Sequence, residues 1–247
     1  MPTETFFRLP AERRERLVAE AIVEFSDRRF AEASLSQIVA RAGIAKGSVY
    51  QYFADKLDLY RWLLVDEVPR RKRAFVARAA EGATGFWSEL ERHVERGMAF
   101  LVEEPRLARI AAAAADPSAD EGVRGLHEAV CEAGHEELRA LLARGRAEGL
   151  LSDAIEPEIA LRFVAAILGP GLTEIVLHEI GAGLHEVLAS EKLRRRLDAA
   201  RRRRLAQAAV RVVRDGLGRR SAETARSATG KARVSASRAT PSRKERR

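Results

Sequence analysis

The sequence predicts an all-α protein, and three observations support that fold class. Ala, Leu, Arg and Glu, which favour helices, are abundant, whereas aromatic residues make up only 6% of the 247 residues. Apolar residues recur at the 3.6-residue spacing of an amphipathic helix along most of the chain. Glycine and proline stand between these segments, where helices begin or end. The pattern therefore predicts a succession of helices.

The first two helices are expected near Pro10 and at Ser34. Pro10 suits the first position of a helix, and the apolar stripe that follows it comprises Leu17, Val18, Ala21, Ile22 and Phe25. Ser34 and Gln37 match the capping-box pattern. In that pattern the serine side chain accepts from the N–H of Gln37, and the glutamine reaches back to the N–H of Ser34.

Two more helices are expected before residue 68. Gly43 ends the second helix, because glycine adopts the left-handed conformation that a tight turn requires. A third helix is expected over residues 45–53 and a fourth from Asp55. Pro69 predicts a kink or break in the fourth helix, because proline lacks an N–H and clashes with the preceding turn.

The rest of the chain is expected to form longer helices over residues 86–102, 106–115, 121–148, 157–187 and 191–217. Gly169-Pro170-Gly171 predicts a kink or break within the fourth of these. We call residues 10–70 the head, residues 80–218 the trunk and residues 219–247 the tail. The tail is nearly devoid of large apolar residues, so it is expected to be disordered.

Charge is concentrated in the tail. The chain has a formal net charge of +8, and the tail alone holds ten Arg or Lys and two Glu, so the remainder is neutral. A basic tail fits a phosphate-bearing partner, but it fits an inert extension equally well. One Cys excludes an internal disulfide framework, and neither a signal peptide nor an apolar run of about 20 residues is visible. We expect a cytoplasmic, nucleoid-associated protein with no membrane contact.

Residues 34–53 carry the functional prediction. Two short helices joined by a glycine turn can place the second helix in the major groove of DNA. Lysine, serine and tyrosine suit phosphate contacts, while glutamine can both donate to and accept from an adenine edge. The expected DNA-binding residues are Ser34, Gln37, Lys46, Gly47, Ser48, Tyr50, Gln51, Tyr52 and Lys56.

The run SLSQIVARAGIAKGSVYQYFADKLDL, residues 34–59, resembles the signature of the tetracycline-repressor (TetR) family of bacterial transcriptional regulators. The stretch GLLSDAIEP, residues 149–157, is similar to a common linker of that family. The resemblance implies a three-helix DNA-binding head, a helical trunk that binds a small effector, and a homodimer built from the last two long helices. Ala45 departs from the frequent serine and cannot cap the third helix.

Other candidate sites have ordinary structural explanations as well. His127, Cys131 and His135 share one helical face, but the three span about 12 Å, which is too far for one ion without a bend. One His–Cys pair with a ligand from another helix is an alternative to an ordinary helix face, but we expect no metal and no cofactor. An apolar effector pocket is expected from Trp62, Trp87, Met98, Phe100 and Phe163, each of which could equally be core. Motifs of an enzyme are not visible.

The sequence thus favours a DNA-binding repressor that a small molecule releases from its operator. The alternative is a constitutive or architectural DNA-binding protein without an effector. A defined operator would favour the first, and broad, steeply salt-dependent binding would favour the second.

Overall fold

The computed structural model describes residues 1–77, 85–113 and 121–218, and it confirms the all-α prediction. The head contains α1 (Glu4–Phe7), α2 (Ala11–Asp27), α3 (Leu35–Arg41), a 3-10 helical segment (Lys46–Gln51) and α4 (Lys56–Trp62). In the described ranges, β structure is confined to one isolated antiparallel bridge between Leu151 and Gly218. The tail lies outside the described residues.

Pro69 does not end the fourth helix. The chain passes from α4 through a π-helical turn (Leu63–Glu67) directly into α5 (Val68–Ala77). In a regular α-helix the ring of Pro69 would collide with the carbonyl of Val65, four residues earlier. Val65 lies inside the wider turn, so the helix continues beyond the proline.

The trunk consists of α6 (Phe86–Glu103), α7 (Pro105–Ala113), α8 (Glu121–Arg124), α9 (His127–Ala147), α10 (Pro157–Ala166), α11 (Leu172–Ile180), α12 (Leu184–Ala189), α13 (Glu191–Arg194) and α14 (Ala199–Leu217). The expected helix over 121–148 is thus divided in two. The expected helix over 191–217 is also divided, because Asp198 caps α14 by accepting from the N–H of Arg201 at 2.8 Å.

A second π-helical turn (Ile167–Gly171) joins α10 to α11, where a kink or break was expected. Pro170 lies inside this turn, and the Thr173 hydroxyl donates to the Gly169 carbonyl at 2.8 Å. A Cβ at position 171 would lie 3.1 Å from the carbonyl oxygen of Ala166, so glycine permits this close approach. The result is one helix of 24 residues, Pro157–Ile180.

This long helix corrects the expectation that no apolar run approaches membrane-spanning length. By length and composition alone it could cross a bilayer, although the core helix of a soluble protein meets the same criterion. Only 28% of its most apolar window is buried. Three of its large apolar side chains are exposed, namely Ile159, Phe163 and Ile175.

The hydrophobic interior forms two clusters. The first is the core of the head, but Phe100, Leu107, Ile110, Val123, Leu126 and Leu188 of the trunk are also part of it. The second lies within the trunk. There α14 packs along α6, α10 packs on α9, and α11 contacts α14. The first cluster crosses the expected boundary between residues 70 and 80, so the division into domains stays a proposal.

Candidate nucleic-acid interface and trunk cavity

The beginning of α3 is held by only half of the expected capping box. The Ser34 hydroxyl accepts from the N–H of Gln37 at 3.4 Å, as predicted. The N–H of Ser34, however, donates to the carboxylate of Glu24 at 2.9 Å and not to Gln37. Gln37 is exposed and its amide oxygen accepts from Arg41 at 3.5 Å.

Glu24 joins α2 to α3. Its carboxylate is 2% exposed and accepts from Arg41 at 2.9 Å in addition to the Ser34 amide. Burial alone would raise the pKa of Glu24, but these hydrogen bonds and the nearby arginines outweigh it and hold the pKa below its ordinary value. A buried carboxylate thereby fixes the angle between the two helices.

Gly43 makes the turn after α3, as predicted. Its φ is +68°, in the left-handed region that favours glycine. The following N–H, of Ile44, donates to the Val39 carbonyl at 2.9 Å and closes the helix end. The turn directs the chain into the next segment.

The segment after the turn is shorter and more tightly wound than the helix expected over 45–53. It spans Lys46–Gln51 as a 3-10 helix, and its first flanking residue, Ala45, supplies no side-chain cap. Val49 anchors the segment because it is 1% exposed. Lys46, Gly47, Tyr50 and Gln51 are exposed, with Tyr50 at 57%, and Ser48 is half-buried.

The 3-10 winding determines which side chains lie on the same side of the segment. Residues three apart overlap along a 3-10 helix. Gly47 therefore aligns with Tyr50, and Ser48 aligns with Gln51. Glycine below Tyr50 leaves room for a close approach of another backbone, and a Cβ at position 47 would meet nothing within 4 Å.

Tyr52 does not face outward, although it was expected to offer a free hydroxyl. The residue is 8% exposed, and its ring lies 6.4 Å from the ring of Phe6, between centroids. Tyr52 directly follows the 3-10 segment, where its side chain packs inward. Tyr52 therefore belongs to the core of the head.

Lys56 also differs from the expected surface phosphate contact. Its ammonium group donates to the carbonyls of Phe30, Ala31 and Ala33 at 2.6, 3.2 and 3.0 Å, and lies 4.5 Å from the centroid of the Phe30 ring. All three N–H donors of the ammonium are thus engaged within the protein. We assign Lys56 a structural role in place of the phosphate contact.

Residues before Pro10 support the interface, a role that was not predicted from the sequence. The Thr3 hydroxyl donates to the Gln51 carbonyl at 2.6 Å, and the Thr3 N–H donates to the Tyr52 carbonyl at 3.0 Å. Phe6 is fully buried, with its ring centroid 5.0 Å from that of Phe53. The pair of phenylalanines ahead of Pro10 was the available signal, because large aromatic side chains favour burial.

The five residues expected to line an effector pocket occupy different places. Trp62 is buried in the head against Phe6, and Phe100 packs in the same core. Trp87 packs edge-on against Phe86 on α6, and Phe163 is 63% exposed on the outer face of α10. Met98 alone of the five lines the cavity described next.

A half-open cavity of about 370 Å³ lies between α5, α6, α9 and the α10–α11 helix. Its wall is mainly apolar and includes Val94, Met98, Leu101, Leu138, Leu172 and Val176. Cys131 and His135 also line it, whereas the side chain of His127 lies outside the described part of the structure. Among the described side chains, no group of three or more His, Cys, Asp or Glu is placed to hold a metal ion.

Comparison with known proteins connects this arrangement to a family. The family model described as bacterial regulatory proteins, tetR family, matches residues 17–62. Over 54 residues the chain is 44% identical to the HTH-type transcriptional activator FasR of Mycolicibacterium smegmatis. That match covers 22% of this chain and 25% of FasR, so the chain spans about a quarter of this curated relative.

Two solved structures extend the similarity over the trunk. A TetR family transcriptional regulator from Chloroflexus aurantiacus is 31% identical, with a TM-score of 0.58, over 89% of this chain and 100% of that one. SmeT, the repressor of a Stenotrophomonas maltophilia multidrug efflux pump, was solved with triclosan. The complex is 21% identical, with a TM-score of 0.59, over 85% of this chain and 93% of that one, and at this identity it shows the fold alone.

Proposed function

Because the chain belongs to the TetR family of bacterial transcriptional regulators, and so is a DNA-binding regulator, we propose that it is a dimeric repressor which a small molecule releases from its operator. The observation that carries the proposal is the pairing of an exposed 3-10 segment after Gly43 with an apolar cavity in the trunk. A DNA partner would fit a location in the cytoplasm, with the nucleoid.

We propose that the exposed face of the Lys46–Gln51 segment enters the major groove. Lys46 and Tyr50 suit phosphate oxygens, and Gln51 is placed to read a base edge. Gly47 allows close approach, and Ser48 offers a hydroxyl at the rim. Ser34 and Gln37 lie at the beginning of α3, where a helix N-terminus faces phosphate favourably.

We further propose that α10–α11 and α14 form the dimer interface. Ile159, Phe163 and Ile175 on the first helix and Val212 on the second are exposed, with Val212 at 60%. Apolar side chains of this size on two neighbouring helices are expected to be covered by a second copy through a two-fold axis. A dimer would present two heads to the two halves of a pseudo-palindrome.

Contacts between trunk and head offer a route from the cavity to the DNA. The guanidinium of Arg109 on α7 donates to the Leu188 carbonyl of α12 at 3.0 Å and to the Ser26 carbonyl of α2 at 3.4 Å. It also pairs with Asp27 at 3.4 Å. A ligand that favours a different packing of the trunk helices would thereby shift α2, with a coupling of about 1 to 3 kcal/mol.

The function is tested by selecting operator sequences from a genomic library with the purified full-length protein. A defined pseudo-palindrome near regulated promoters, and higher reporter expression when the protein is deleted, would support a repressor. Lower expression on deletion would make the protein an activator. Binding without sequence preference and with a steep salt dependence would instead support the constitutive or architectural alternative.

The contact assignment predicts different outcomes for Lys46 and Gln51. Lys46→Ala should weaken binding to all sequences alike and reduce the slope of log affinity against log salt by about 1. Gln51→Ala should lose about 1 to 3 kcal/mol of discrimination at one base position, while non-specific affinity stays nearly unchanged. Fluorescence anisotropy on operator and scrambled duplexes at several salt concentrations measures both quantities.

Lys192→Ala is the matched control, because Lys192 is an exposed lysine of the trunk. It should leave affinity, salt slope and base preference as in the wild type. The assignment would be refuted if Lys46→Ala and Gln51→Ala were both indistinguishable from this control.

A further inference from the structure

The charges that face the trunk cavity are not balanced. The titratable side chains that line it are those of Lys72, His93, Cys131 and His135. Aspartate, glutamate and arginine do not occur among the described lining residues. The wall therefore combines apolar side chains with one ammonium group and two imidazoles, and the carboxylates that act on these groups lie outside the lining: Glu132 is 3.5 Å from Nδ1 of His135, and Glu137 acts on Lys72.

The acidic side chain that acts on Lys72 is that of Glu137, which lines an adjoining cavity of about 350 Å³. That cavity is lined by Glu137 and Glu89 together with Arg73, Arg92 and Arg144, and shares Val76 and His93 with the first. Glu89 forms an ion pair with Arg144. By formal charge, three arginines and two glutamates leave the lining of the adjoining cavity positive as well.

The surroundings of Lys72 disfavour its charged form. Lys72 is exposed to solvent and is also surrounded by many protein atoms, as a residue at the mouth of a half-open cavity can be. Burial lowers the pKa of Lys72, and the negative charge of Glu137 only partly compensates. Burial and the charge of Lys72 likewise lower the pKa of His93. An anion placed beside Lys72 would relieve this imbalance.

We propose that the effector is a compact amphipathic organic anion, whose carboxylate pairs with Lys72 and whose apolar body packs against Met98, Leu101, Leu138 and Leu172. The inference rests on the proposed function and names the chemical class of its effector. The cavity is near the small end of the range for small-molecule sites, so the ligand body is small.

The position of the cavity also suits an effector. Gly169 and Pro170, from the π-helical turn, and Thr173 of α11 are part of its wall. Lys72 itself lies on α5, the continuation of the helix that begins in the head as α4. A ligand in this space would touch both the helix that enters the head and the helix proposed to contact the second subunit.

Isothermal titration of the full-length protein with sodium decanoate and with decan-1-ol tests the inference. The two probes share an apolar chain and differ in the charged head. A charge-assisted hydrogen bond to Lys72 should make decanoate bind at least about tenfold more tightly. Lys72→Met should lower decanoate affinity by about the same factor and leave decan-1-ol unchanged, while Lys72→Arg should retain most of the preference.

Arg73→Met is the matched control, because it removes a positive charge from the same helix but from the adjoining cavity. It should preserve the preference for decanoate. Equal affinity of the two probes for wild type, no binding of either, or equal losses in Lys72→Met and Arg73→Met would overturn the inference. Tighter binding of decylamine would also overturn it.

Operator binding measured on the same preparation separates this inference from the proposed function. A protein that binds its operator but shows no preference for decanoate keeps its proposed role and loses only the anionic effector. A protein that prefers decanoate through Lys72 but selects no operator retains the ligand site and loses the repressor role.

Discussion

Phe163→Glu should convert the dimer into a monomer and lower affinity for a two-half-site operator by at least about a hundredfold. Phe163 is 63% exposed and lies one helical turn from Ile159 on α10. In a two-fold interface each copy would bury its own glutamate and meet that of its partner, which costs several kcal/mol when the charges are unpaired. Light scattering after size-exclusion chromatography measures the mass, and anisotropy measures operator affinity.

Phe7→Glu provides a matched control for the dimer prediction. Phe7 is 55% exposed, so the same charge is introduced at a similarly exposed aromatic residue of the head. This variant should stay dimeric. The proposed interface would be wrong if Phe163→Glu eluted with the mass of a dimer and bound the full operator as tightly as the wild type.

Lys56→Met should destabilise the protein by about 2 to 4 kcal/mol and lower its unfolding midpoint in urea. The change removes hydrogen bonds from an ammonium to the carbonyls of Phe30, Ala31 and Ala33, each worth about 1.5 to 3 kcal/mol before water replaces part of the loss. Methionine keeps the length of the apolar stem against the Phe30 ring. Circular dichroism during urea titration measures the change.

Lys46→Met is the control for this prediction, because Lys46 is exposed at the beginning of the 3-10 segment. It should leave the unfolding midpoint within about 0.5 kcal/mol of the wild type. Unchanged stability of Lys56→Met, combined with weaker binding to every DNA sequence, would restore Lys56 as a phosphate contact and contradict its structural role.

Local features of the head could be predicted from the sequence because their causes lie within a few residues. Gly43 ends α3 through its own positive φ, and Ser34 caps the helix through an N–H three residues later. Pro157 opens α10 because its missing N–H is not needed at that position. In each case, the residues whose interaction determines the local structure are at most a few positions apart in the sequence.

The orientation of Tyr52 and Lys56 could not be predicted because their partners are distant along the chain. Tyr52 turns inward to meet Phe6, and Lys56 reaches the carbonyls that follow α2. The amide of Ser34 likewise finds Glu24, ten residues earlier, which displaces Gln37 from the capping box. The sequence alone therefore does not distinguish a long polar side chain that contacts DNA from one that forms hydrogen bonds within the protein.

The two prolines within helices show a second limit of prediction from sequence, which concerns the type of helix defect. Proline predicts a defect in a regular α-helix, but the defect at Pro69 and at Pro170 is a π-helical turn that keeps the helix continuous. The expected break at residues 169–171 would have separated the exposed apolar residues of α10 from those of α11. Continuity instead places Ile159, Phe163 and Ile175 on one long helix.

The core of the head limits how easily the DNA-binding heads of such regulators can be exchanged between proteins. Residues 17–62 match the family model, yet their side chains pack against Phe100, Leu107, Ile110 and Leu188 of the trunk. A head excised at residue 70 would expose that apolar surface to water. Chimaeras that exchange DNA specificity between relatives should therefore keep the head together with the parts of α6, α7 and α12 that pack against it, or replace only the outward-facing side chains of the Lys46–Gln51 segment.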